Sequence, residues 1–511
     1  MRSLLLLVVP TLVTALPAPT TAPFVHPRGL TSPPSSCSGN TISPLDYGAV
    51  SGPDGDAGTN LGAFNKALAA LAPCDTFVVP AGTDFALVGG IEAENLMNNT
   101  IIFDGSLSFE FDEDVWPTNS DSDDKFKHCI NIWNAQDLVI SGSGSGIING
   151  NGRPWWDKMI AGTLPGSGDT RPKLFNVANS VDVLIENIHL VNSPSWNLIV
   201  NAARCEIRNI EVTTDRDYQR ELKSSKVLEE SAKDKVKEWL VDELSGLLPD
   251  FLLEPEDLNT DGIDPSGVDF YIHDVKIYND DDSIAVKPVS AGGQTFIDGT
   301  ETDCSRNMLL ENMELVGFGA SIGSVPPNEK KKCVDAITMR NVSMPGTGKG
   351  IYVKSNGNDC LNGKTSSLTN LLFEDFVITD PFWYAVWIGP QQQQEPGSEL
   401  GLDCALQYPL AGSQCPTQGC SDFENITLKN VLIENPKLSP GAIMGNSTNP
   451  MRNIVFDNVV VKHDKGWASD LVAGRWPWRE SSFPFKGTYK SMHVEGTCRN
   501  CDPVPEGFVE V

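Results

Sequence analysis

The segment Val183-Leu184-Ile185-Glu186-Asn187-Ile188-His189-Leu190 decides the fold. Apolar and polar residues alternate along it as in a strand with one buried face, and Asn187 interrupts the alternation. The pattern returns at 205–212, 309–315 and 336–344, with further copies centred on Asp274, Asp375, Asn430 and Asn458. A short unit that repeats with a polar turn residue in the same place is typical of stacked coils. The sequence therefore predicts an all-β protein, a parallel β-helix, rather than a β-sandwich or a propeller.

One elongated domain is expected over residues 43–511, with one segment that breaks the repeat. Residues 217–257 are rich in Glu, Lys, Leu and Ala, and their apolar side chains at helical spacing are Val236, Trp239, Leu240, Leu244 and Leu247. This pattern predicts an amphipathic helix inserted in a loop. Its apolar stripe either packs against the coils or forms a wall of a cleft.

The amino-terminal residues predict secretion. Residues 1–18 combine a charged start, the short apolar run 4–9 and a small-residue exit, which is typical of a signal peptide. The apolar run is too short to span a bilayer. Residues 19–42 are rich in Pro, Thr and Ser, and we expect a flexible lead-in there.

Cysteine usage and glycosylation acceptor sites agree with an extracellular protein. Twelve cysteines, an even number, fit disulfides formed in an oxidising compartment, and Cys415/Cys420 and Cys498/Cys501 are spaced for small bridged loops. A zinc site at Cys498 is disfavoured because no second Cys or His pair completes it. Acceptor sequons lie at Asn98, Asn341, Asn425 and Asn446.

The charge balance limits the partners. Lys and Arg total 38 and Asp and Glu total 67, which gives a net charge of −29. Such a chain is a poor partner for nucleic acid or an anionic membrane. A locally basic cleft could still hold an anionic polysaccharide. We also expect the protein to be a monomer.

Two acidic motifs flank a predicted strand. Asn259-Thr260-Asp261-Gly262-Ile263-Asp264 precedes the alternating residues 268–277, and Asn279-Asp280-Asp281-Asp282 follows them. The two motifs therefore lie at corresponding ends of successive coils. Crowded carboxyl groups push their pKa values apart, which suits acid and base catalysis on a glycosidic bond, although acidic runs are also calcium ligands or solvated loops.

These motifs resemble the signature of the polygalacturonases of glycoside hydrolase family 28. The resemblance extends to the opening at 45–50, to 148–152 with Trp155 and Trp156, to Arg171-Pro172 and to Asn192-Ser193-Pro194-Ser195-Trp196. It implies a right-handed, single-stranded parallel β-helix with an amino-terminal helical cap near residues 60–71. It also implies a secreted inverting hydrolase that cleaves α-1,4-galacturonosidic bonds of pectin or polygalacturonate without a metal or organic cofactor.

The resemblance assigns roles to matching residues. Asp281 would be the general acid, while Asp261 and Asp282 would hold and deprotonate the water. Inversion generally needs acid and base carboxyls roughly 6.5 to 9.5 Å apart. Asn259, Tyr352 and Lys354 are the candidate substrate-binding residues.

Two departures from the family pattern leave alternatives open. Phe318 stands where the family has a His and cannot exchange a proton, and Tyr352 replaces an Arg that would grip a sugar carboxylate. An exo-acting polygalacturonase is one reading, and a rhamnogalacturonan hydrolase of the same fold is the alternative. A catalytically weak pectin-binding homologue is the third reading. Pectate lyases also have a β-helix but depend on calcium, so they are a further alternative that a chelator would distinguish.

Overall fold

The computed structural model describes residues 37–119, 125–165, 169–222, 258–356, 363–392, 420–437, 439–462 and 489–511. The predicted signal peptide, most of the lead-in and residues 223–257 of the predicted insertion lie outside these ranges. Within them, no helix is long and apolar enough to cross a membrane.

Strands account for most of the described chain. They are β1 (Thr41–Ile42), β2 (Thr76–Val79), β3 (Asp84–Leu87), β4 (Ile91–Glu94), β5 (Thr100–Phe103), β6 (Ser106–Phe109), β7 (Ile130–Trp133), β8 (Gln136–Ser141), β9 (Ile147–Asn149), β10 (Phe175–Val191), β11 (Leu198–Thr213), β12 (Ile263–Tyr278), β13 (Ile284–Val286), β14 (Gln294–Thr295), β15 (Glu301–Thr302), β16 (Ser305–Val316), β17 (Ala320–Ile322), β18 (Lys332–Pro345), β19 (Ile351–Ser355), β20 (Ser366–Thr379), β21 (Tyr384–Pro390), β22 (Ser421–Glu434), β23 (Ser439–Met444), β24 (Met451–Lys462), β25 (Tyr489–Met492), β26 (Val494–Arg499) and β27 (Val509–Glu510). The helices are a 3₁₀ turn (Pro44–Tyr47), α1 (Ala57–Ala69), α2 (Arg153–Ile160) and a helical segment at 216–222.

The strands stack in parallel as coils of a β-helix, which confirms the predicted fold. In the first coils each face has its own short strand, so that β2, β3 and β4 pair with β5, β6 and β7. The long strand β10 then covers all three faces, because its start, middle and end pair with β7, β8 and β9. Later coils repeat this register, so equivalent residues of successive coils lie about 4.8 Å apart.

The polar residue of the repeated motif makes the bend between two faces. Each such residue adopts the left-handed backbone conformation, with φ between 51° and 59°: Asn187, Asn209, Asp274, Asn312, Asn341, Asp375, Asn430 and Asn458. Asn and Asp tolerate this conformation better than other residues with a side chain. The side chains also bond from coil to coil, as where Asn341 Nδ2 donates to Asn312 Oδ1 at 2.7 Å.

The apolar side chains that alternate along the strands fill the interior of the coil stack. Trp155 and Trp156 are fully buried, so they are core residues and not sugar platforms. Helix α1 caps the amino-terminal end, as expected, and its first turn is closed by Asp56, whose side chain accepts from the Thr59 amide at 2.7 Å.

The fold begins before the boundary expected at residue 43. Strand β1 pairs with β2, and a disulfide joins Cys37 to Cys74. A second disulfide joins Cys304 to Cys333, and the predicted Cys498–Cys501 bridge is present. Cys420 is also disulfide-bonded, while Cys415 lies outside the described residues.

Replacing a bend residue by alanine should destabilise the fold. We expect Asn312→Ala to lower the free energy of unfolding by about 1 to 2 kcal/mol, because alanine is strained at a left-handed φ. Asn312→Gly should recover part of this loss, and Glu314→Ala, at an exposed position of the same strand, is the matched control. Urea unfolding measures all three. Equal stability of the alanine and glycine variants would contradict the role assigned to the left-handed bend.

Candidate active site

Strand register brings the two acidic motifs together. Ile263 of β12 lies opposite Ile284 of β13, on neighbouring coils. Asp261 and Asp282 each precede these residues by two positions, so their side chains emerge one above the other. The Gly262 amide donates to the Asp282 carbonyl at 2.9 Å, which holds the two motifs in contact.

Asn279 fixes the loop between the two strands. Its side-chain amide nitrogen lies 2.8 Å from the Thr260 carbonyl, 3.1 Å from that of Asp281 and 3.0 Å from that of Asp282. Its Oδ1 accepts from the Ser283 hydroxyl at 3.1 Å. The Asn of the second motif is therefore a structural clamp on the backbone of the acidic residues.

Two glycines allow the motifs to approach this closely. A Cβ at Gly262 would lie 2.3 Å from the Ser283 carbonyl oxygen, and one at Gly317 would lie 2.2 Å from Asn279 Oδ1. Contacts this short cannot be relieved when the neighbour is backbone or a clamped side chain. These positions exclude any residue with a side chain.

The carboxylate of Asp282 is bonded on both oxygens. Oδ1 accepts from the Ser321 hydroxyl at 2.6 Å, and Oδ2 accepts from Lys354 Nζ at 2.6 Å. Its side chain and that of Lys354 are both almost fully buried. A cation and a hydroxyl donor at such distances fix the orientation of this carboxylate.

Asp261 is buried beside Lys287. Lys287 Nζ lies 3.5 Å from Asp261 Oδ2. Burial raises the pKa of Asp261, the charge of Lys287 opposes that rise, and the neighbouring Asp282 adds to it. Lys287 was not predicted as a site residue, because it stands outside both motifs in the sequence.

Asp261, Asp281 and Asp282 form a compact group, here called the carboxyl cluster. Each offers one carboxylate oxygen, and these three oxygens lie within 4.8 Å of one another. Their closest approach is shorter than the roughly 6.5 to 9.5 Å that generally separates the carboxyl groups of inverting glycosidases. The cluster encloses a space that suits one water molecule or one cation.

The same oxygens could bind a hard cation such as Ca²⁺, which prefers carboxylate ligands. The ammonium groups of Lys354 and Lys287 already provide positive charge at 2.6 Å from Asp282 and 3.5 Å from Asp261. This proximity disfavours a divalent cation electrostatically. The absence of a metal remains a prediction, and it can be tested with a chelator.

A fourth carboxyl group, that of Asp264, lies behind the cluster. It is almost completely buried, and no hydrogen bond reaches either of its oxygens from the described part of the chain. Burial raises its pKa well above the usual value, and the charge of Lys287 opposes the rise. The sequence motif contained Asp264, but alternation along a strand did not reveal that its carboxyl group is buried.

The three predicted substrate-binding residues bind other protein groups. Asn259 donates from Nδ2 to Asp169 Oδ2 at 2.8 Å, and Lys354 binds Asp282. Tyr352 is fully buried, its hydroxyl accepts from the Gln392 amide at 3.0 Å, and its ring lies 4.3 Å from Lys354 Nζ. Tyr352 therefore supports Lys354 and does not offer its hydroxyl at an open surface.

Phe318 makes the position of the family His apolar, and Lys349 places a cation near it. Phe318 is buried, and its amide donates to the Asp281 carbonyl at 2.6 Å. Lys349 Nζ, also buried, lies 5.5 Å from the Phe318 ring and 4.0 Å from the Tyr352 ring. A lysine over two aromatic faces therefore stands beside the place of the missing imidazole.

The first motif rests on a buried ion pair that the sequence only hinted at. Arg171 is fully buried, binds Asp169 through two nitrogens, and donates to the carbonyls of Pro194 and Leu258. The Arg171-Pro172 dipeptide was noticed as a family feature, but its partner Asp169 was not. This network orients Asn259 and hence the start of the motif.

Asp280, the variable residue of the second motif, faces the helical segment 216–222. Its Oδ1 lies 3.4 Å from Arg216 Nε and 3.5 Å from Arg220 Nε. In the same helical segment Gln219 Oε1 accepts from the Thr260 hydroxyl at 3.5 Å. The start of the predicted insertion, residues 217–222, thus contacts both acidic motifs.

Comparison with known proteins finds a family model, relatives and solved structures that match most of this chain. The family model "Glycosyl hydrolases family 28" matches residues 72–402. An endopolygalacturonase of Emericella nidulans is 24% identical over 396 residues, covering 76% of this chain and 79% of that protein. An exopolygalacturonase of Cochliobolus carbonum is 22% identical over 411 residues, covering 76% and 75%. The structure of a polygalacturonase from Erwinia carotovora ssp. carotovora shares the fold, with a TM-score of 0.57 at 15% identity, covering 93% of this chain and 100% of that chain.

The buried Asp264 predicts a pH-dependent effect on stability. An acid whose pKa is raised by folding stabilises the protein at low pH, and this contribution is lost as the pH rises through the folded-state pKa. Asp264→Asn stays neutral at every pH. The free energy of unfolding of the variant minus that of the wild type should therefore increase from pH 4 to pH 8, by at most about 1.4 kcal/mol per pH unit.

Urea unfolding of both proteins across this pH range measures the difference. Glu314→Gln, which removes an exposed carboxylate, is the matched control. A difference for Asp264→Asn that does not change with pH would contradict the raised pKa.

Proposed function

Because the chain belongs to glycosyl hydrolases family 28, we propose that it hydrolyses α-1,4-galacturonosidic bonds of polygalacturonate, the backbone of pectin. The observation that carries this proposal is the carboxyl cluster, in which Asp261, Asp281 and Asp282 share one small space. Hydrolysis of a glycosidic bond needs a carboxyl group that donates a proton and a carboxylate that activates water. The cluster provides both kinds of group.

Asp281 is the proposed general acid, and Asp261 with Asp282 is the proposed water-binding pair. Asp282, whose two carboxylate oxygens accept from Lys354 and Ser321, is held in a fixed orientation that suits binding of the water. Asp281 protonates the oxygen of the leaving sugar, water adds to the anomeric carbon, and the water proton passes to the pair. The family implies inversion at that carbon. NMR of the first-formed product, which reports the configuration of its new reducing end, tests this inversion.

Cations around the cluster support an anionic substrate. Lys354 and Lys287 lie on its edges. On the amino-terminal side Trp196 is partly exposed, with Lys287 Nζ 5.1 Å and Lys173 Nζ 4.6 Å from its ring centre. In a chain with a net charge of −29, Lys173 and Lys287 beside Trp196 are cations that would favour binding of a polyuronate at this place.

A rhamnogalacturonan backbone is the second candidate. The observation that favours it is the burial of Phe318 and Tyr352, which leaves neither an imidazole nor a guanidinium at the positions where the family has them. A neutral sugar next to the scissile bond would not need the guanidinium. The acidic motifs themselves do not distinguish the two polymers.

We further propose that the protein is secreted and acts outside the cell as a monomer. The signal-like residues 1–18, the cysteine count and the sequons support secretion. Three disulfides within the described residues agree with an oxidising compartment.

Product analysis with two polymers tests the proposed function. We expect the purified protein at mildly acidic pH to release new reducing ends from polygalacturonate, with a chelator present and without absorbance from unsaturated sugars. Monomer as the first product would establish exo attack, and mixed oligomers endo attack.

Three results would contradict this outcome. Cleavage of rhamnogalacturonan alone would favour the second candidate, and chelator-sensitive release of unsaturated products would indicate a lyase. Cleavage of neither polymer by folded protein would leave the binding homologue.

A further inference from the structure

Arg220 occupies an unusual position beside the carboxyl cluster. It lies on the helical segment 216–222, where the chain enters the predicted insertion. The insertion is a departure from the repeat pattern, so no repeated motif accounts for a guanidinium here. Its Nε lies 3.5 Å from Oδ1 of Asp280, the residue directly before the proposed general acid Asp281.

An aromatic side chain also lies near this guanidinium. Arg220 Cζ lies 5.5 Å from the centre of the Phe382 ring. Phe382 in turn packs edge-on against Phe318, with ring centres 5.7 Å apart. Phe318 occupies the family His position and donates its amide to the Asp281 carbonyl. Arg220 thus lies between Asp280, in the loop of the proposed general acid, and Phe382, which packs on the residue that bonds this loop.

Arg216 and Arg220 share Asp280 but differ in exposure. They lie four residues apart, on one side of the helical segment. The side chain of Arg216 is 4% exposed, whereas that of Arg220 is 28% exposed. Arg216 therefore has the environment of a structural partner, while Arg220 also faces solvent.

The chemistry of arginine suits carboxylate recognition. The N–H groups of a guanidinium lie in one plane as a fork, so two of them can bind the two oxygens of a carboxylate side by side. Position 352, where the family has such an Arg, holds a buried tyrosine. Arg220 provides a guanidinium on a different element, on the Phe318 side of the cluster.

We propose that Arg220 is a specificity-determining residue that binds the carboxylate of a uronate unit next to the cleavage point. This inference rests on the proposed function, since it assigns a recognition group to the same site. It explains how a chain with Tyr352 could still select galacturonate over a neutral or esterified sugar.

Equilibrium binding separates recognition from turnover. Calorimetric titration of trigalacturonate and of its methyl ester would use the Asp281→Asn protein, so that hydrolysis does not consume the ligand. We expect Arg220→Ala in this background to weaken binding of the free acid about tenfold and to leave binding of the ester unchanged. Arg220→Lys should be intermediate, because it keeps the charge and loses the planar fork.

Arg208→Ala is the matched control. Its side chain is 31% exposed and pairs with Glu186 and Glu206, at a site that shares none of the contacts of the carboxyl cluster. It should bind both ligands as the parent does.

Other outcomes overturn the assignment. Equal weakening for acid and ester would mean that Arg220 only positions the Asp280 loop, and no weakening would mean that it makes no contact. Failure of the parent protein to bind trigalacturonate would exclude a uronate subsite altogether. Failure of the proposed function has a different signature, namely retained and Arg220-dependent binding by a wild-type protein that does not cleave polygalacturonate.

Discussion

The structure depends on the register between neighbouring coils. Parallel pairing places Ile263 opposite Ile284, and the bends at Asn and Asp residues with left-handed φ keep each later coil in step. A shift of one residue would turn every side chain of a strand to the opposite face. The carboxyl cluster exists only because two motifs about twenty residues apart in the sequence are brought within one coil spacing of each other.

Hydrogen bonds and nearby lysines stabilise the carboxyl cluster. Three buried carboxyl groups lie within a few ångströms of one another, and Lys354, Lys287 and Ser321 lie against them. Asn279 holds the backbone of both motifs, and Gly262 and Gly317 allow the approach. The arrangement of the cluster therefore depends on residues from at least four successive coils.

The sequence predicted the architecture well because period-two alternation and the recurring Asn or Asp are local signals. It also identified the three cluster carboxylates, since they stand in short motifs. It did not identify Lys287, Lys349 or Arg220, which reach the site from other coils or from the start of the insertion. Nor did it show that Asn259, Lys354 and Tyr352 are bonded to protein groups, because burial and partner choice depend on the packing of distant strands.

We propose that the cluster performs acid and base chemistry on polygalacturonate, with Asp281 as the acid. Turnover of Asp281→Asn on polygalacturonate, compared with the wild type and with Glu314→Gln at an exposed position, tests it most directly. Loss of a general acid should reduce kcat about 10²- to 10⁴-fold in a variant that unfolds at the wild-type urea concentration. Near-wild-type turnover by folded Asp281→Asn would contradict the claim and remove Asp281 from the chemistry.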